Sequence, residues 1–170
     1  MDITNGETKM NLNYDRIDEY PERVNAVGVV LRLLDGLGFR FYWATYELDE
    51  DDFEFTPAEG GNSIGWMVSH IRGLLTWIYL NVRGEQAKQP QSIVEQRNHV
   101  LDLIRMVRED IAGMSDEQFA EVRIEGLPFW HMINGPISDA LGHVGQINMA
   151  RRLRGKPTPE ANVFRCDPPS

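Results

Sequence analysis

The chain has 170 residues and a formal net charge of −9, which fits one domain with a sizeable core. Its 42% hydrophobic and 25% charged residues describe an ordinary globular composition, and the acidic balance argues against nucleic acid or an anionic membrane as the main partner. A single cysteine, Cys166, excludes a disulfide framework and a cysteine-based zinc site.

Residues 1–19 are polar, lack the apolar stretch of a secretory signal, and are expected to be a flexible segment. The longest apolar stretch, around Leu74–Leu80, is far shorter than the roughly 20 residues of a membrane span. A soluble, cytoplasmic protein with no membrane partner is the resulting expectation.

Glu22 to about Leu48 reads as the first helix, because Val27, Val30, Leu31, Leu34, Leu37 and Phe41 recur at helical spacing. Gly36 and Gly38 weaken it by about 1 kcal/mol each relative to alanine and mark close packing or a kink. Its end, Phe39 to Trp43, is densely aromatic, and is either core or the wall of a pocket. The acidic run Glu47–Glu54 reads as a solvated stretch without the residue order of a calcium loop. Thr56-Pro57-Ala58-Glu59 resembles a capped helical turn.

The second helix is expected from Ser63 to about Val82, with Ile64, Met67, Ile71, Leu74, Ile78 and Val82 as its apolar stripe. His70 lies beside that stripe, on the face shared with Trp66 and Trp77. A histidine so placed needs a carboxylate, a carbonyl or a metal as partner. Ser92 opens the third helix, whose stripe is Ile93, Val100, Ile104, Val107 and Ile111, with His99 on the surface. Ser115 caps a short helix, and Val122–Leu127 is extended. Asn134-Gly135-Pro136 must break or kink the last helical stretch, since Pro136 lacks a donor. A short piece at Phe129–Ile133 precedes the break, and the fourth long helix runs from Pro136 to Arg154. His131 lies just before the break and is a candidate to reach a pocket. The arginines that end this helix read as solvated charges complementing its dipole. Gly155–Ser170 is expected to wrap or trail along the surface.

On the fourth helix Asp139, His143 and Gln146 are spaced i, i+4, i+7 and share a face. A carboxylate and an imidazole one turn apart hold a metal ion if a third ligand arrives from a facing helix; otherwise they hydrogen-bond across a helix interface. Four amphipathic helices joined by loops define the expected fold class, an all-α four-helix up-down bundle with extra helical turns.

Three stretches resemble the DinB family of small four-helix-bundle proteins, mostly metal-dependent: Asp35 to Thr45, Ser63 to Ile71, and His143-Val144-Gly145-Gln146-Ile147 with Arg151-Arg152 behind it. The resemblance covers residues 20–160, leaving 161–170 as a tail. It implies a divalent metal, zinc or nickel with iron as an alternative, held by His70 and His143. Asp139 stands where the family has a further histidine. The resemblance further implies Gln146 as a residue orienting a ligand or bound water, with Trp66, Trp77 and Trp43 walling a pocket. Characterised relatives include transferases that use low-molecular-weight thiols such as bacillithiol or mycothiol, and a thiol-dependent isomerase. A small-molecule substrate is the implied partner. The competing expectation is a non-catalytic bundle that binds a small apolar ligand or pairs as a homodimer, with His70, Asp139 and His143 hydrogen-bonded and metal-free.

Overall fold

The computed structural model describes residues 13–170. In chain order the elements are α1 (Ala26–Ala44), α2 (Glu50–Glu54), α3 (Ile64–Arg83), α4 (Ile93–Ala112), α5 (Asp116–Ala120), β1 (Arg123–Ile124), β2 (Leu127–Pro128), α6 (Trp130–Met132) and α7 (Ser138–Leu153). The only sheet among the described residues is the antiparallel hairpin β1–β2, so the fold is essentially all helical.

Local chemistry sets the helix starts. The side chains of Asn25, Ser63, Ser92 and Ser115 accept hydrogen bonds from Gly28, Trp66, Glu95 and Gln118 backbone nitrogens, satisfying donors that the first turn leaves free. Gly84, at φ +77°, ends α3 in the left-handed conformation that glycine adopts without strain.

The four long helices close a ring of contacts, α1 on α4, α4 on α3, α3 on α7 and α7 on α1. Leu34, Leu37, Phe41, Ile71, Ile104 and Ile147 fill its centre with no solvent exposure. Such burial stabilises by about 1.5–3 kcal/mol for each large apolar side chain. No helix among the described residues is long and apolar enough to cross a membrane.

Several expectations are corrected. Residues 1–12 lie outside the described residues. The segment expected to be flexible ends earlier than residue 19, because Tyr14 and Ile17 are buried in the core. The Tyr14 ring lies directly over Gly38, where any side chain would collide with it, so this glycine marks a close approach. The helical turn expected at Thr56–Glu59 is absent; it falls instead inside the acidic run, as α2. There Asp49 and Asp52 form a reciprocal capping box. Asp52 is fully buried and holds Arg154 and Lys156 at 2.6 Å each, so this run is not simply solvated.

Arg151 is also buried rather than solvated. Its Nη1 donates to the carbonyl oxygens of Trp43, Ala44 and Tyr46, the end of α1, where free carbonyls carry partial negative charge. The tail folds back: Cys166 is buried, and its carbonyl accepts from Ile17 N at 3.1 Å.

Candidate metal centre

The site is built where α3 and α7 face each other. On α3 the capped first turn sends Ile64, Met67, Val68 and Ile71 into the core, which leaves His70 at the edge of the buried face. On α7 the entry is fixed by the break the sequence requires. Gly135 takes φ −93°, ψ −107°, outside helical values, and Pro136 offers no donor. The Ser138 hydroxyl donates to the Ile133 carbonyl at 2.6 Å across this wide turn. Ala140, Val144 and Ile147 then face the core, and Asp139 and His143 flank them on the side toward α3. Asp139 falls in the first turn of α7, where the helix dipole favours a carboxylate.

His70 Nε2 stands 3.1 Å from Asp139 Oδ2, and His143 Nε2 stands 3.5 Å from Asp139 Oδ1. The imidazole rings of His70 and His143 meet edge to face at 4.7 Å. Trp66 stacks on His70 at 5.0 Å, with 8° between the planes, and presents its edge to His143 at 5.8 Å. One ligand atom from each of His70, Asp139 and His143 lies within 4.8 Å of the other two. The side chains are 36%, 50% and 12% exposed respectively, so the cluster opens to solvent.

The donor set fits a divalent metal. Two imidazoles and a carboxylate suit zinc, nickel or iron and leave positions for another ligand. Gln146 Oε1 lies 3.0 Å from His143 Nδ1, and in the tautomer with the proton on Nδ1 that nitrogen donates to the amide oxygen. In that tautomer Nε2 of His143 turns a lone pair toward Asp139 Oδ1, 3.5 Å away. A cation between the two would be held by that lone pair and the carboxylate together. Ligands about 2.0–2.2 Å from zinc stand about 3.4 Å apart in a tetrahedron. Both contacts of Asp139, at 3.1 and 3.5 Å, are close to that spacing.

The remaining candidates fall elsewhere. Trp77 lies seven residues along α3 from His70, about 10 Å by helical rise. Its Nε1 donates to Glu125 Oε1 at 2.9 Å, which ties α3 to the hairpin loop rather than walling the cluster. Trp43 is buried at the end of α1, packs on Phe39, Tyr42 and Tyr46, and donates from Nε1 to the Asp15 carbonyl. Both belong to the framework, and Trp66 alone of the three tryptophans touches the cluster. His131 is exposed on α6 and does not join the group. His99, expected on the surface, is half-buried, with its Nδ1 shielded and unpartnered. Burial first, then the charge of Arg72, lowers its pKa from the ordinary histidine value.

An apolar cleft of about 210 Å³ begins beside the cluster, lined by Pro57, Met67, Gln146, Met149, Ala150 and Leu153. Periodicity held the signal for it, since Gln146, Met149 and Leu153 recur at spacings of three and four on α7. A larger cleft of about 470 Å³ lies between α1 and α7, on the side of α7 that carries Leu141, Val144 and Asn148, away from His143.

Compared with protein-family models, curated proteins and solved structures, the chain matches none.

Proposed function

We propose that His70, Asp139 and His143 hold a divalent metal, zinc or nickel in preference to iron, in a DinB-like four-helix bundle. The protein is then a cytoplasmic metal-dependent transferase using a low-molecular-weight thiol, or a hydrolase using water, on a small-molecule substrate. One observation carries this reading: ligand atoms from two helices, distant in sequence, lie within 4.8 Å of one another at a solvent-open position.

When bound, the metal supplies Lewis acidity that lowers the pKa of a thiol or water beside it toward neutrality. The chain's own residues do the rest. Gln146 fixes the tautomer of His143, and Asp139 offers one oxygen to each imidazole. Trp66 covers one face of His70, directing entry to the exposed side around Asp139. No further carboxylate or histidine joins the cluster as a separate general base among the described residues, which favours thiol transfer over hydrolysis.

The 3.1 Å contact of His70 with Asp139 also supports a second reading, a non-catalytic bundle with a hydrogen-bonded, metal-free cluster. Thermal melting separates the two. Under the first, zinc or nickel raises Tm by several degrees in the wild type but not in His70→Ala or His143→Ala; ligand at a hundred times Kd stabilises by about 2.7 kcal/mol. A thiol then raises Tm further only in the metal-loaded protein. An unchanged Tm with every divalent ion, and full stability in EDTA, establishes the second reading.

A further inference from the structure

We infer that the cleft beside Gln146 seats the apolar arm of a small molecule whose head occupies the His70–Asp139–His143 cluster. The ligand is therefore amphiphilic, a metal-binding head carrying a short alkyl or aryl chain. This inference rests on the metal reading and names the substrate class of the same site.

Gln146 belongs to both places: its Oε1 lies at hydrogen-bond distance, 3.0 Å, from His143 Nδ1, and its side chain lines the cleft. The cleft contains no charged residue, although 25% of the chain is charged; Asn62 and Gln146 are its polar side chains. Met149 and Leu153 are 63% and 58% exposed, so α7 leaves large apolar side chains open to water here. Methionine at two lining positions, Met67 and Met149, gives a wall that adapts to different shapes.

Size points to a small molecule. Apolar cavities of about 150 Å³ accept benzene, and this cleft measures about 210 Å³. A stable protein partner would need an interface of about 1,200 Å² or more. From His143 to Met149 the helix advances by about 9 Å. A chain of about seven carbons, at about 1.25 Å each, spans that distance.

The test is calorimetric titration of zinc-loaded protein with straight-chain hydroxamic acids, from acetohydroxamic to octanohydroxamic acid. Affinity is expected to rise up to about fourfold per added methylene to about seven carbons, then level. Met149→Gln and Leu153→Gln change exposed positions; they should flatten this series while leaving acetohydroxamate affinity unchanged. Chain-independent affinity in loaded wild-type protein would overturn the inference and leave the metal reading standing. So would a length dependence that both variants preserve. Self-association of the loaded protein that Met149→Gln abolishes would assign the cleft to a second copy and overturn it as well. Failure to take up zinc at all would overturn the metal reading, and this inference with it.

Discussion

Gln146 accepts a hydrogen bond from His143 Nδ1 at 3.0 Å, less than one turn further along α7. With the proton on Nδ1, this bond leaves Nε2 free toward Asp139, the nitrogen the proposed metal would take. Replacing Gln146 by Leu removes the acceptor while changing only an exposed position. Metal affinity should fall by about 10–100-fold, measured by competition with a chromophoric chelator. Gln146→Glu keeps an acceptor at the same place and should recover most of the loss.

Asp35 and Arg108 form a buried pair between α1 and α4, with the carboxylate fully shielded from solvent. Arg108 donates from Nε to one oxygen and from Nη2 to the other. Burial pushes the Asp35 carboxyl above its ordinary value, and the guanidinium opposes this. Arg108→Ala strands the carboxylate and should lower unfolding free energy by about 3–5 kcal/mol in urea titrations. The double change Asp35→Leu with Arg108→Met should cost much less, because neither charge is left alone.

Asp52 ties α2 to the chain beyond α7. Burial alone would raise its pKa, but hydrogen bonds from Lys156 and Arg154 outweigh this and hold the carboxyl well below its ordinary 3.8. The folded state therefore releases this proton more readily than the unfolded chain. The stability it contributes is fully present above the ordinary carboxylate range and is lost as pH falls through and below it. Asp52→Asn should lower the urea midpoint clearly at pH 7, and the gap from wild type should narrow on acidification toward pH 3.

The helices were legible because their signals are local. Serines 63, 92 and 115 mark helix starts, and the apolar stripes of α1, α3 and α4 follow their spacing. The cluster was legible for a different reason: one partner pair, Asp139 and His143, already shares a helix face, so a single facing histidine completes it. Asp52, Arg108 and Arg151 were not legible. Each is a charged side chain whose meaning depends on partners tens of residues away, and a charge run looks the same whether solvated or paired. The misplaced tryptophans show the same limit. Helical spacing puts Trp77 on the face of His70, but it does not reveal that Glu125 holds the indole two turns away.

The most direct measurement is elemental analysis of protein purified without chelator, for wild type and for His70→Ala, Asp139→Ala and His143→Ala. About one zinc or nickel per wild-type chain is expected, the occupancy of a single three-ligand site. Each variant should lose the metal while keeping the wild-type circular dichroism spectrum. Wild-type protein that carries no metal and gains none on incubation with zinc or nickel would contradict the metal reading, as would folded variants that hold the metal as tightly as wild type.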